Sequence, residues 1–247
     1  RFLITVVGIA GCTALMTAGF GIKNSIESLI HNQYGELIHY DSVATFTDGV
    51  TQEDVNTLED DLSADGHIDD FLLNCGYSDD VKSSEDTETA EYVIVDDKNS
   101  FKDYVTLRTR RKHNDVILGD SGVVITEKLS KDLGVKKGDK ITVTSSAGKH
   151  AEAVVSGITE MYVNHYVYIS TEYYNELFGN IPDHNRVLIK ISGDVNETES
   201  YMGDEYLSRD YIKGVSFLNA NVTRFENMIQ SLDLVTWVLI ISAGLLA

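Results

Sequence analysis

Two cysteines in 247 residues are too few for a disulfide framework, and they are unlikely partners by position. Cys12 lies in an uncharged N-terminal run and Cys75 in the central region, so the pair says little about the redox state of the compartment. Basic residues are scarce as well. Twenty lysines and arginines stand against 39 acidic side chains, a net charge of −19. Such a surface repels phosphate backbones and anionic headgroups, which excludes nucleic acid and acidic lipid surfaces as main partners. The acidic runs "EDDLSAD" and "SDDVKSSEDTETAE" lack the Asp/Asn alternation with a central Gly and final Glu of an EF-hand loop, so they read as solvated faces. No internal repeat or low-complexity tract is evident.

Catalytic signatures are missing too. The chain has no Gly-x-Ser-x-Gly elbow, no phosphate-cradling loop ending in Lys-Ser or Lys-Thr, and no His-Glu-x-x-His. "GDSG" at 119–122 has the look of a serine-protease nucleophile, but Val123 follows it and no small-residue-His-Cys context supplies a base. Ser121 is therefore read as part of a turn before the strand "VVIT". The seven histidines, at 31, 39, 67, 113, 150, 165 and 184, have no close cysteine or histidine partner, and a zinc site would have to assemble in three dimensions alone. No catalytic residue, metal or cofactor is assigned to this chain, which is not read as an enzyme.

What is present begins with an absence of charge. Phe2 to Ile22 runs for 21 residues without one, and as a helix it would rise about 31 Å, the thickness of a bilayer core. A cleaved signal peptide would have a shorter apolar run after a stronger basic segment, and a buried core helix would show a polar face. Residues 1–22 are accordingly expected to span a membrane. Gly8, Ala10, Gly11, Ala14 and Ala18 are small sites at which a neighbouring helix can approach. At the other end "LVTWVLIISAGLLA", residues 234–247, is again uncharged but rises only about 21 Å, so it reads as the start of a second, truncated span.

Next to each span the apolar positions become periodic. Ile22, Ile26 and Leu29 share one helical face, and so do Phe225, Ile229 and Leu232. Residues 23–35 and 223–233 are expected to be stalk helices whose apolar stripes pack on each other. Between them an α+β region is expected, with an α/β (porter-like) layer at 36–105 and 185–222 and an inserted β-rich subdomain at 106–184. Thr51 should cap a helix in "TQEDVNTLEDDLSAD", with Asp54 as the capping-box acid. Strands are expected in "LIHYDSVATF", "EYVIVDD", "YVTLRTR", "VVIT", "YVNHYVYIS", "RVLIKI" and "GVSFLNA", and Thr126 is expected to cap a short helix that Gly134 ends. Tyr162, His165, Tyr166 and Tyr168 admit two readings: a strand packed on its neighbours, or an aromatic contact surface for a peptide, lipid or protein ligand.

Three stretches together resemble the FtsX-like permease family of ABC transporters. They are "LITVVGIAGCTALMTAGFGIKNSI", then "VVITEKLSKDLGVKKGDKITV" with "GITEMYVNHYVYIS", and "SLDLVTWVLIISAGLLA". The central region is similar to the MacB-like periplasmic core domain. The resemblance implies a multi-pass plasma-membrane protein with residues 23–233 extracytoplasmic, a cytoplasmic ABC ATPase subunit as partner, and a second permease half or subunit. It further implies an outer domain that acts on a peptide, lipoprotein or cell-wall regulator, driven through the stalks. The competing reading of the same layout is the sensor domain of a two-span receptor such as a histidine kinase or chemoreceptor.

Overall fold

The structure, a computed structural model, describes residues 2–246, with the side chains of residues 2–5, 196, 221, 232, 239 and 243–246 outside the description. The chain forms two units, Arg1–Gly35 with Asn219–Ala247, and Glu36–Leu218. The first begins with α1 (Phe2–Ile30), followed by a π-helical stretch at His31–Leu37. Gly35, the last residue of the stalk helix expected at 23–35, lies inside that wider turn. Among the described residues, Val6–Leu37 is the one helical stretch long and apolar enough to cross a membrane by length and composition.

The second unit runs β1 (Ser42–Phe46), α2 (Gln52–Ala64), β2 (Ile68–Lys82), β3 (Thr87–Val95), α3 (Lys98–Tyr104), β4 (Val123–Thr126) and α4 (Glu127–Asp132). It continues with β5 (Lys140–Thr144), β6 (His150–Thr159), β7 (Tyr166–Ser170), α5 (Thr171–Phe178), β8 (Arg186–Ile191), α6 (Val195–Leu207) and β9 (Ile212–Phe217). The last helix, α7 (Leu218–Leu246), follows β9 directly.

Strand β2 is the organising element, because its two halves belong to different sheets. Ile68 to Asn74 pairs with β8, β8 with β1, and β1 with β9, all antiparallel. With α2 joining β1 to β2 and α6 joining β8 to β9, this strand order is that of a ferredoxin-like split β-α-β layer. Leu58 and Leu62 of α2 and Met202 and Tyr206 of α6 fill its core against Phe46 and Ile189. Cys75 to Lys82 instead pairs with β3, and the pairing then runs through β7, β4, β6 and β5 and returns to β2 at Lys82–Thr142. Six strands thus close into a small barrel, which removes exposed sheet edges.

Side chains reinforce the narrow closure between β2 and β5: Thr144 Oγ1 donates to Asp80 O (2.8 Å) and Tyr77 Oη to Thr144 O (2.9 Å). Tyr92, Ile94, Ile125, Val143 and Val167 fill the barrel, and Leu129 and Tyr174 from α4 and α5 join the same core. Burial among these groups pushes the Cys75 thiol up to about 11, so it packs as a small apolar group rather than a nucleophile.

The unit is thus mixed α/β with an inserted β-rich part, but the inserted part begins earlier than the sequence pattern suggests. Barrel strands include 75–82 and 87–95 as well as 123–170, so pairing crosses the division expected at 105/106. "YVTLRTR" is not a strand. Asp97 accepts from Asn99 N (2.8 Å) and Ser100 Oγ (2.7 Å), starting a helix that carries Phe101 and Tyr104 into the core, and the residues after it make only the bridges Ile38–Val105 and Arg108–Asp115. Asn164, at φ 63°, holds the strand in "YVNHYVYIS" back to Tyr166. Thr126 is the N-cap residue of α4, but its side chain makes no cap hydrogen bond, because its Oγ1 instead accepts from Tyr166 N (3.3 Å) on the neighbouring strand β7. Gly134 does take the left-handed conformation (φ 67°) just after the α4 C-terminus.

The capping box of α2 forms as read: Asp54 N donates to Thr51 Oγ1 (3.2 Å), and Thr51 N to Asp54 Oδ2 (2.9 Å). Thr51→Ala is expected to lower the unfolding free energy by about 1 kcal/mol, measured as a shift in urea midpoint at unchanged slope.

Candidate functional site

The two ends of the second unit meet at one strand. At the entering end, Thr106 N donates to Leu37 O (2.8 Å) and His39 N to Tyr104 O (2.9 Å), so residues 37–39 lie against the end of α3. At the leaving end, Leu218 N donates to Asp41 O (2.8 Å). Asp41 itself is fixed to β8, its N donating to Ile189 O (2.8 Å) and its Oδ2 accepting from Ile191 N (2.8 Å). Both ends of the unit are thus connected by backbone hydrogen bonds to its ordered elements, the entering end to the end of α3 and the leaving end through Asp41 to β8.

Arg108 ties the entering end to the barrel. Its Nη2 donates to Glu36 Oε2 (2.5 Å) and its Nε to Glu160 Oε2 (2.8 Å), while Glu160 N donates to Arg108 O (2.7 Å). The Tyr162 hydroxyl donates to the other Glu160 oxygen, and Arg110 sits 5.2 Å from the Tyr162 ring centroid. Glu160 is 3% exposed and Arg108 13% by side chain. Burial opposes the Arg108 charge, but the hydrogen bonds to Glu36 and Glu160 outweigh it and hold the guanidinium pKa above its ordinary value. Neither glutamate stands out in a chain this acidic. The sequence signal at this place is the basic cluster Arg108, Arg110, Arg111 and Lys112 in a chain otherwise short of basic residues.

The four aromatic-surface residues do not form one surface. Tyr166 and Tyr168 stack on each other, with centroids 5.7 Å apart at 13°, and Tyr168 is 2% exposed beside Phe101. His165 points the other way, its Nε2 lying 3.5 Å from Asp132 and 3.9 Å from Glu88. Tyr162 belongs to the Arg108 network. Alternation along an extended segment separates the neighbours, sending 166 and 168 to one face.

That face borders a cavity of about 230 Å³ at the junction of barrel and ferredoxin-like layer. Glu91, Tyr166 and Tyr168 line it from the barrel, Asn74 and Arg186 from the layer, and Tyr40 from the entering segment. Arg186 reaches across β2 to Glu91 (Nη1–Oε1, 2.5 Å), and its Nε donates to Asn74 Oδ1 (2.7 Å). It can do so because residue 76 is glycine: a Cβ there would lie 1.9 Å from the Arg186 Cζ. Nothing in the local pattern around Gly76 announces this crossing.

In a separate, shallower depression, His184 Nε2 bonds Asp96 Oδ2, whose other oxygen accepts from Thr171 Oγ1. The bond to Asp96 raises the His184 pKa above 6.5, and the bond from His184 lowers that of Asp96 below 3.8. His184 thus stabilises the fold fully below about pH 6.5, and this is lost as pH rises through its raised value. The Asp96 contribution is present above about pH 3.8 and is lost as pH falls below it. Both side chains are partly exposed, so the pair should contribute less than about 1 kcal/mol. Urea unfolding of the wild type and of His184→Asn should differ most between about pH 4 and 6.5 and converge toward pH 9.

In the first unit, Lys23 Nζ bonds both Asp233 oxygens (2.8 and 2.9 Å), joining α1 to α7. Gly19 faces Thr236, whose Oγ1 would be 3.4 Å from a Cβ at that position. Gly8 is half-buried, while Ala10, Gly11, Ala14 and Ala18 are exposed within this chain. Ile26, Leu29 and Phe225 are half-buried, Ile229 is buried, Ile22 is exposed, and the Leu232 side chain lies outside the described residues. Ser121 is exposed in a bend before β4, and among the described residues no three metal-ligating side chains gather.

A ferredoxin-like layer carrying an inserted barrel runs at both ends into long helices, and among the described residues one helical stretch, Val6–Leu37, is long and apolar enough to cross a membrane. The MacB-like periplasmic core domain profile matches residues 2–201, and the chain belongs to that family. Among solved structures it is similar to the periplasmic region of MacB from Actinobacillus actinomycetemcomitans, at 13% identity and a TM-score of 0.43, covering 82% of this chain and 98% of that one. It is similar also to the extracellular domain of the noncanonic ABC-type transporter YknZ from Gram-positive bacteria, at 13% identity and a TM-score of 0.40, covering 72% and 98%. A domain of a putative permease protein from Porphyromonas gingivalis matches at 10% identity and a TM-score of 0.36, covering 72% and 88%. No curated protein matches the chain.

Proposed function

We propose that this chain is the extracytoplasmic part of an ABC transporter permease subunit, multi-pass in the plasma membrane with residues 23–233 outside. In this reading a cytoplasmic ATPase drives the membrane helices, and the outer domain converts their movement into work on a peptide, lipoprotein or cell-wall regulator. A second permease half completes the assembly. The observation that carries the reading is the convergence of both domain ends on β1 and β8 through Asp41, with Arg108 bracing the entering segment against the barrel. A rigid seat of this kind passes displacement on, whereas a loosely tethered domain would absorb it. Membership of the MacB-like family supports the same role.

The test is to purify the native protein from its membrane and identify by mass spectrometry what remains bound. Recovery of an ABC ATPase is expected. A signalling kinase or adaptor in its place, with no ATPase, would overturn the proposal in favour of a sensor.

A further inference from the structure

The cavity between barrel and ferredoxin-like layer holds more polar capacity than the protein uses. Asn74 is 3% exposed, and its Nδ2 has no hydrogen-bond partner although its Oδ1 accepts from Arg186. A buried donor left unmade is costly, and native proteins keep few of them. Arg186 spends Nε on Asn74 and Nη1 on Glu91, so Nη2 has no protein partner among the described residues. Glu91 receives Arg186 through Oε1, and Oε2 is unused among the same residues. Donors and an acceptor therefore stand side by side at one wall, and Phe101, Val93 and Leu188 form an apolar wall in the same cavity.

We propose that this cavity binds an amide-bearing group, one residue of a short extracytoplasmic peptide. An amide oxygen would accept from Asn74 and Arg186 and its N–H would donate to Glu91, with the residue's apolar side chain against Phe101 and Leu188. Charge decides against an anion, because Glu91 already neutralises Arg186 within a chain of net charge −19. The ion pair decides against an acyl chain, which would leave it desolvated with nothing to bond. At about 230 Å³ the cavity is smaller than the ~300–1,000 Å³ of sites that enclose a whole drug-sized ligand, so it takes one residue and leaves the rest of the peptide outside. Tyr40 lines it one residue before Asp41, so occupancy bears on the segment that joins the domain to α1. The inference goes beyond the coupling reading and rests on it only for the side of the membrane on which the peptide is met.

The experiment uses the whole chain in lipid nanodiscs, with empty discs subtracted, and ligand-observed NMR titration of three probes: 3-phenylpropanamide, its free acid, which carries no amide, and octanoate. The amide is expected to bind more tightly than either acid by about tenfold or more, the worth of one hydrogen bond to a charged group. Asn74→Leu should weaken the amide by a similar factor. Glu91→Gln, which leaves Arg186 without its counter-charge, should reverse the preference toward the free acid, an outcome that a purely structural ion pair would not produce. If Asn74→Leu fails to fold, the Glu91→Gln reversal decides alone. No saturable binding by the wild type, a wild-type preference for the free acid or octanoate, or no change of preference in Glu91→Gln would each overturn the proposal. No nucleotide or ATPase enters the measurement, so its failure is distinct from failure of the coupling reading.

Discussion

Two glycines inserted between Met228 and Ile229 of α7 are expected to abolish outer-domain work while ATP hydrolysis by the proposed ATPase partner continues. Each added helical residue turns everything beyond it by about 100°, so the pair rotates one part of α7 against the other by about 200°. Asp233 and Thr236 would then leave the face that meets Lys23 and Gly19 on α1. The glycines also weaken the helix by about 2 kcal/mol relative to alanine. A seven-residue alanine-rich insertion separates the two effects, because it returns the face to within about 20° and keeps the helix stiff. That variant should retain more coupling than the glycine pair, read as transport or regulatory output per ATP hydrolysed. Full output from the glycine variant would show that α7 carries no displacement.

Arg108→Ala is expected to destabilise the domain by about 3 kcal/mol, the low end of the range for removing one partner of a buried ion pair. Glu160 would remain buried with only Tyr162 and backbone contacts, and Glu36 would lose its tie to the barrel. Partial exposure of Glu36 keeps the figure at that low end. Urea unfolding followed by near-ultraviolet circular dichroism reports it through the nearby tyrosines. Arg108→Met combined with Glu160→Met should recover more than half of the loss, because an apolar pair leaves no orphaned charge. A change below about 1 kcal/mol in the single variant would mean that solvent already screens the network.

The helix and strand segments whose local signals agree with their surroundings were legible from the chain. Thr51 and Asp54 announced α2, Gly134 its left-handed stop after α4, and the β-branched run 186–191 announced β8. Where two signals competed, the local one lost. Thr126 was placed to cap α4, but its buried hydroxyl is taken by β7. Residues 104–110 alternate like a strand, yet Asp97 had already begun a helix upstream. The long β2 was missed because its run of Asp, Asn, Gly and Ser carries little strand propensity, and pairing on both sides overrides that weakness.

By itself the sequence determined the apolar first helix, the acidic domain behind it, the absence of familiar catalytic motifs and the resemblance to its family. These follow from composition and short-range periodicity, which a linear chain displays directly. Only the tertiary structure decided that β2 serves two sheets, that six strands close into a barrel, and that Arg108 and Arg186 find their acids. Those arginine–carboxylate pairs join residues 52 to 95 positions apart, and with 39 acidic side chains to choose from, no local pattern says which carboxylate each arginine will meet.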